Sequence, residues 1–350
     1  PDGGIWRSKD GGGTWEEITS FPGLPKGDTG RIGLTMSAAD PERVYALVDS
    51  ATKSGLYRSD DTGDTWRFVS GDANVTARPF YFTHIYADPN NADNLWSPGN
   101  KLWRSVDGGE NWILEPSIKD DFQDIWIDPE DPNRMIVTCD GGTAVSLTGG
   151  KTWSSFANQS GVQFYRVDTD DQFPYRVYGN AQDLLVYSIP SSSRWGGIPL
   201  HMTDSIGNGE TGRAIPKPGD PNIVYSLSTG ATFGGAAQFT VNNLKTGQTE
   251  PRSVWPEILF GTPASDFTYR FNWQAPFLVS PHDPNTIYFA GNVVFRTRDE
   301  GMTWEIISDD LTHNMTDKMK VAGSTWLPEY FGQEIFSTIH RLEESPHEQG

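Results

Sequence analysis

The chain has 350 residues, a formal charge of −19, 36% hydrophobic and 12% aromatic residues, and abundant Gly (37) and Pro (24). No stretch approaches the ~18 consecutive apolar residues of a membrane-spanning helix. With no Lys/Arg cluster to offset the total, the charge argues against nucleic acid and anionic membranes as partners. A basic or neutral partner fits that charge, as does the plainer role of keeping a sheet-rich protein in solution.

Taken in order, the chain opens on a strand-like run, Gly4-Ile5-Trp6-Arg7, followed by a turn-like box, Ser8, Asp10, Gly12, Thr14 and Trp15. The pattern S-x-D-x-G-x-T-W returns at Ser59, Asp61, Gly63, Thr65, Trp66 and at Ser105, Asp107, Gly109, Asn111, Trp112. It returns again at Ser146, Thr148, Gly150, Thr152, Trp153 and at Thr297, Asp299, Gly301, Thr303, Trp304. The steps are 51, 46, 41 and 151 residues, the last close to three ordinary steps, so two units with eroded boxes are expected between 154 and 296. Each box reads as the turn of a β-hairpin: short Ser and Asp side chains bond nearby backbone, Gly permits positive φ, and Trp supplies an apolar anchor. On this reading the box aspartates fold the turn and do no chemistry.

A second repeat keeps the same period. Asp40-Pro41, Asp88-Pro89, Asp128-Pro129, Asp220-Pro221 and Asp283-Pro284 are turns leading into strands, with echoes at Asp171-Gln172-Phe173-Pro174 and Ser345-Pro346. Full units are predicted at 29–70, 78–116, 120–158, 161–200, 206–250 and 268–312. Residues 1–20 form only the outer half of a unit. After a polar connection at 313–332, with room for a short helix, the run 335–342 resembles an inner strand whose outer half is missing. A four-stranded unit of about 40–50 residues repeated several times marks an all-β fold, a β-propeller of about seven four-stranded blades. The prediction is one domain over 1–350, with 1–20 and 333–350 as complementary halves of one blade. The start, Pro1-Asp2-Gly3-Gly4, is neither a signal peptide nor an initiator Met; the two incomplete ends either combine to close the ring or mark a segment of a longer protein, and both can hold together.

The single Cys139 lies in the strand-like Met135-Ile136-Val137-Thr138-Cys139 and reads as inert core; no Cys/His spacing points to zinc, so neither a metal nor a cofactor is predicted.

The boxes resemble those of Asp-box (BNR) repeat proteins, a group that includes sialidases, sortilin-type receptors and two-propeller xyloglucan hydrolases. The order of Gly30-Arg31-Ile32-Gly33-Leu34, Asp124-Ile125-Trp126-Ile127-Asp128-Pro129, Phe164-Tyr165-Arg166-Val167, Tyr269-Arg270-Phe271-Asn272-Trp273 and Ser280-Pro281-His282-Asp283-Pro284-Asn285 is similar to a sortilin-like or glycosyl-hydrolase-like branch of large secreted proteins. The resemblance covers nearly the whole chain and implies a propeller located outside the cytoplasm: extracellular, periplasmic or at the cell surface. The chain departs from that branch where relatives carry a His-rich run, having Asp120-Asp121-Phe122-Gln123-Asp124, and where they carry an Asp-Asn-Gly-like turn, having Ala181-Gln182-Asp183-Leu184. For a sialidase, Arg78-Pro79-Phe80 and Arg213-Ala214-Ile215-Pro216 are poor substitutes for the motif that should precede the boxes.

In a propeller the inner strands line the central channel, and their starts nominate Arg31, His84, Gln123, Asp124, Tyr165, Arg213, Arg270 and Asn272 as ligand-binding residues. Arg31, Arg213 and Arg270 stand at equivalent points of different repeats, where they would hold an anionic group or else pair with Asp121, Asp124 and Glu334 to neutralise the channel. The leading expectation is a non-catalytic secreted propeller, a binding or scaffold module in a larger assembly, whose partner is a protein, a polysaccharide or further domains of the same parent chain. The alternative is a carbohydrate-active enzyme. It needs two carboxylates about 5–10 Å apart, with Asp121 or Asp124 supplying one and Asp266 or Glu329 the other, and with Trp195 or Trp255 as aromatic platforms.

Overall fold

The structure is a computed structural model and describes residues 4–116, 119–156, 161–182, 184–207, 209–230, 235–257, 262–320, 326 and 335–349. Asp183, the loop 231–234, Glu329 and the strand start Gly332-Gln333-Glu334 lie outside the described residues. Backbone contacts divide the chain into two compact units, residues 1–160 with 323–327 and residues 161–322 with 328–350.

The first unit begins with a two-stranded antiparallel sheet, β1 (Trp6–Arg7) and β2 (Glu16–Glu17). A four-stranded sheet follows, β3 (Thr29–Ser37), β4 (Asp40–Ser50), β5 (Gly55–Ser59) and β6 (Arg67–Ser70). The next is β7 (Tyr86–Asp88), β8 (Asn91–Pro98), β9 (Leu102–Ser105) and β10 (Ile113–Leu114), and the unit closes with three strands, β11 (Phe122–Ile127), β12 (Met135–Cys139) and β13 (Gly142–Ser146). The second unit holds three four-stranded sheets. They are β14 (Phe164–Thr169), β15 (Arg176–Ala181), β16 (Val186–Pro190) and β17 (Asp204–Ile206); β18 (Ala214–Lys217), β19 (Asp220–Gly230), β20 (Gly235–Asn243) and β21 (Gln248–Pro251); and β22 (Phe277–Val279), β23 (Ile287–Ala290), β24 (Val294–Thr297) and β25 (Glu305–Ile306). All pairing is antiparallel between consecutive strands, and each sheet follows one repeat read from the sequence, except that β17 closes its sheet beyond the expected end of its unit at residue 200. The two eroded units of the middle region are thus real sheets, turned at residues 191–203 and 244–247 without boxes. Residues 335–342 form no strand, and the connection before them carries a 3₁₀ turn at Thr316–Lys318.

The sheets bury both faces, which is why their central strands read as unbroken apolar runs. Tyr45, Ala46, Leu47 and Val48 of β4 are all at most 2% exposed. With a side-chain period of two, Tyr45 and Leu47 pack with Ile85 and Leu95 of the following sheet, while Ala46 and Val48 pack with Ile5, Ile18 and Trp66 on the other side;. The layer repeats in the second unit, where Tyr225 and Phe239 pack with Phe277, Phe289 and Phe295. Cys139 is buried on β12, where burial pushes its thiol up.

The boxes are hydrogen-bonded turns of one design. Ser59 Oγ donates to Asp61 Oδ1 (2.7 Å) and accepts the Gly63 N–H (2.8 Å), while Asp61 accepts the Thr65 N–H (2.8 Å) and hydroxyl (2.6 Å). The same bonds recur at Ser8/Asp10, Ser105/Asp107 and Thr297/Asp299. Where the aspartate is lost, Thr148 Oγ1 takes over and accepts the Thr152 N–H at 2.9 Å. The box glycine answers two demands, positive φ and close approach: a Cβ on Gly109 (φ 90°) would stand 2.1 Å from Leu56 of the preceding sheet, and one on Gly150 (φ 82°) 2.4 Å from Trp96.

The expectation that every box Trp is an apolar anchor needs one correction. Trp66 is 6% exposed, but Trp15 is 61% exposed. A box Trp leans on the sheet before its own, as Trp153 does on Trp96 (6.4 Å between ring centroids) and Trp304 on Phe239 (5.4 Å). Trp15 belongs to the first described sheet and has no such neighbour.

Candidate functional site

Four nominated residues belong to the first unit and four to the second. Arg31, at the start of β3, is exposed and donates from Nη1 to the carbonyls of Tyr81 (2.9 Å) and Phe80 (3.5 Å). His84, two residues before β7, is half-buried; burial and then the Arg31 charge hold its ring below the usual imidazole range, against the pull of Asp124. Asp124, on β11, accepts the Tyr86 hydroxyl, and burial together with that bond drives the Tyr86 phenol up. Gln123 donates from Nε2 to Asp140 Oδ1 at 3.2 Å. Arg31, His84 and Asp124 therefore share one electrostatic neighbourhood, with Gln123 beside it on the same strand.

In the second unit Tyr165 accepts the Trp273 indole N–H at 3.1 Å, and Asn272 Nδ2 donates to Thr338 Oγ1 at 3.3 Å. Arg213 makes a two-pronged pair with Asp168 (2.7 and 2.6 Å), and the bonds to Asp168 raise its pKa. Arg270, 6% exposed, donates to Asp310 (2.7 Å), Thr312 (3.2 Å) and the Ser337 carbonyl (3.1 Å). The three equivalent arginines thus each make bonds within the chain. Among the described residues their partners are Asp168, Asp310, Thr312 and backbone carbonyls rather than the expected Asp121 or Asp124, and Glu334 lies outside the described residues. Of the aromatic platforms, Trp195 lies beneath the Arg194 guanidinium (4.9 Å) and Trp255 packs edge-on against Tyr269 (5.1 Å). Asp266 is exposed, with its carboxylate accepting the Ser265 hydroxyl (3.0 Å). A cavity of about 690 Å³ in the second unit, lined by Leu311, Met315, Phe336 and Leu342 among others, has no carboxylate among the described residues of its wall.

The carboxylate with the most unusual setting is Asp121, in the first unit. It stands immediately before β11 in the left-handed region, φ 55°. Its N–H donates to the Asn100 carbonyl (3.1 Å), its carbonyl accepts the Asp140 N–H (3.3 Å), and Phe122 N–H donates to the Gly99 carbonyl (2.7 Å). The residue is therefore clamped between the β8–β9 turn of one sheet and the β12–β13 turn of the next. Its Oδ1 accepts Asn100 Nδ2 at 2.8 Å and lies 3.8 Å from Arg78 Nη1. Burial raises its pKa, with the charges of Asp140 and Asp120 adding to the rise and the Asn100 bond and Arg78 opposing it. Asp120 itself is paired with Lys101. A half-buried carboxyl whose pKa is raised by burial and by adjacent acids is the electrostatic form of a general acid;.

Sequence reasoning placed Asp121 among the candidate acids but missed Arg78, Asn100 and Asp140, which come from three different turns. The available signal was the run Arg78-Pro79-Phe80-Tyr81-Phe82, a cation followed by three aromatics. Among the described residues no group of three His, Cys, Asp or Glu side chains is placed to hold a metal ion, and no helix is long and apolar enough to cross a membrane.

No family model matches the chain. A xyloglucanase of Paenibacillus sp is 25% identical over 324 residues, covering 86% of this chain and 29% of that protein. A xyloglucanase of Hypocrea jecorina is 23% identical over an alignment of 395 positions, covering 90% of this chain and 46% of that protein. Those relatives are glycoside hydrolases. The chain spans less than half the length of either. Among solved structures, the GH74 enzyme of Niastella koreensis aligns with 80% of this chain and 59% of its own, at 13% identity and a TM-score of 0.33. The two xyloglucanase relatives overturn the leading expectation of a non-catalytic binding module: they favour the carbohydrate-active alternative.

Proposed function

We propose that this chain is the catalytic part, or a portion of it, of a glycoside hydrolase acting outside the cytoplasm on a β-linked polysaccharide of the xyloglucan type, with Asp121 as proton donor. The observation that carries the reading is the Asp121 carboxyl, half-buried and held by Asn100, its pKa raised by burial and by the charges of Asp140 and Asp120. Asp121 would protonate the departing glycosidic oxygen. Asp140, its neighbour across the Asp140 N–H to Asp121 carbonyl bond and steadied by Gln123, would supply the second carboxylate that stabilises the oxocarbenium-like transition state or activates water;. The fold reading that accompanies it is an Asp-box β-propeller over the whole chain, its sheets being the blades and residues 1–20 and 333–350 sharing one of them; the regular repeat supports it. Release of reducing ends from a panel of xyloglucan, mixed-linkage glucan and xylan tests the function. Hydrolysis of one of these by the wild type and its loss in both Asp121→Asn and Asp140→Asn is expected. Unchanged turnover in Asp121→Asn would remove the assignment.

A further inference from the structure

Phe80 and Tyr81, 38% and 44% exposed, are consecutive aromatic residues on a turn that the fold holds rigidly. The N–H groups of Tyr81 and Phe82 both donate to the Arg78 carbonyl (2.8 Å each), and Thr83 Oγ1 donates to the Pro79 carbonyl (2.5 Å). From the neighbouring sheet Arg31 Nη1 donates to the Tyr81 and Phe80 carbonyls (2.9 and 3.5 Å). The rings pack edge to face along the run, Phe80 on Tyr81 at 6.5 Å and Tyr81 on Phe82 at 4.8 Å, with Phe82 buried beneath. The Arg78 guanidinium stands 5.1 Å from the Tyr81 ring, 5.9 Å from Phe80 and 5.6 Å from Phe82, and its Nη1 is 3.8 Å from Asp121. One guanidinium therefore joins the aromatic turn to the half-buried acid.

We infer that Phe80 and Tyr81 form a saccharide subsite that stacks on a neutral, β-linked pyranose next to Asp121; the inference rests on the hydrolase reading above and names where a sugar ring of its substrate sits. A pyranose with equatorial hydroxyls, such as β-glucosyl or β-xylosyl, presents a face of axial C–H groups. Those groups carry partial positive charge and match the negative face of an aromatic ring. Arg78 already occupies the cation-binding side of the rings, which disfavours a cationic ligand, and the charges of Asp120 and Asp140 near Asp121 disfavour an anionic one;. The turn is held by bonds from two sheets before any ligand arrives, so little ordering cost remains at binding.

The test is calorimetric titration of cellotetraose and of xyloglucan oligosaccharides into the Asp121→Asn protein, which binds without cleaving. Phe80→Ala and Tyr81→Ala, made in that background, should each weaken binding about tenfold, while Tyr81→Phe stays within twofold of its parent and the melting temperature holds. Phe80→Leu gives a second reading should Phe80→Ala lower the folded fraction. The subsite is overturned if both alanine variants bind as their parent does, or if neither saccharide binds. Steady-state kinetics separate the two claims. Hydrolysis by the wild type with an unchanged KM in Phe80→Ala and Tyr81→Ala keeps the hydrolase and sinks the platform. Saccharide binding that needs Phe80 and Tyr81 without any hydrolysis keeps the platform and sinks the hydrolase.

Discussion

Arg78 Nη1 lies 3.8 Å from Asp121 Oδ1, and both residues hold left-handed backbone, at φ 47° and 55°. Such a conformation is disfavoured for residues with a Cβ, so it persists only where the surroundings over-determine it. Among the described residues six non-glycine positions have positive φ. Two of them, Thr62 and Glu300, have an ordinary reason, since they fill a box position occupied by Gly11, Gly108 and Gly149 in the other copies. Arg78 and Asp121 belong to no box, yet they meet. Strain at two touching residues, one of them a half-buried acid, directs attention to this part of the fold.

Asp121→Asn should abolish hydrolysis while leaving the protein at least as stable at neutral pH. Its folded pKa is raised, so the folded state binds more protons than the unfolded one and stability falls as pH climbs from the unfolded to the folded value;. Asn removes that loss, retains an acceptor for Asn100 and tolerates left-handed backbone better. Loss of turnover of about 10²–10⁴-fold with an unchanged or higher Tm at pH 7 is the expected pair of results. In the wild type, activity should decline as pH rises through the Asp121 pKa, and Arg78→Gln, which removes an opposing cation, should move that decline to higher pH.

Ser59→Ala and Ser105→Ala should each destabilise the fold without touching activity. The Ser59 hydroxyl is buried, accepts the Gly63 N–H and donates to Asp61, so its removal leaves a buried donor without a partner. A cost of about 1–3 kcal/mol follows, read as a shift in denaturant midpoint at constant m-value. Lost hydrolysis at unchanged stability would assign the box a chemical role.

Acid should unfold the protein through these turns. Bonds from the Thr four residues on and from the leading Ser or Thr hold Asp10, Asp61 and Asp299 down at about 2. Because these folded-state values lie below the unfolded one of about 3.9, the stabilisation is complete above about pH 4 and lost as pH falls towards 2. Denaturant midpoints measured from pH 6 to 2 should drop steeply below 4, and the triple variant Asp10→Asn, Asp61→Asn, Asp299→Asn should flatten that drop.

The two non-glycine box positions should respond oppositely to glycine. Thr62→Gly relieves left-handed strain at an exposed turn and should stabilise by about 0.5–1 kcal/mol, the strain removed less the entropy glycine adds. Glu300→Gly relieves the same strain but takes the carboxylate away from Lys217, Arg252 and the buried Tyr225, whose hydroxyl donates to it at 2.9 Å. Here a net loss of about 1–3 kcal/mol is expected. Thermal melts of the two variants decide both.

Sheet order, strand pairing and the placement of turns were legible because they are local. A box needs only eight residues to close its own hydrogen bonds, and an Asp-Pro turn only four, so each repeat carries its instructions in one stretch. The boxes at Ser59 and Ser105 were read as turns held by their own Ser and Asp side chains, and even the eroded units around β15–β16 and β19–β20 were located by the period. The arginines show where that reading stopped. Arg31, Arg213 and Arg270 occupy equivalent places in their repeats, but their partners lie 40 to 67 residues away, at Asp168, Asp310, Ser337 and Tyr81, and repeat position says nothing about which carboxylate a neighbouring sheet will offer.

The sequence by itself determined an all-β chain of consecutive antiparallel sheets, since alternation, turn chemistry and period act over a few residues. Only the tertiary structure decided the candidate site. Asp121 becomes an acid of raised pKa because turns converge on it and bury it beside Asp140 and Asp120, while Arg78 and the Asn100 bond oppose the rise. Burial and Coulomb terms depend on distance in space, and that distance exists only once the sheets have packed.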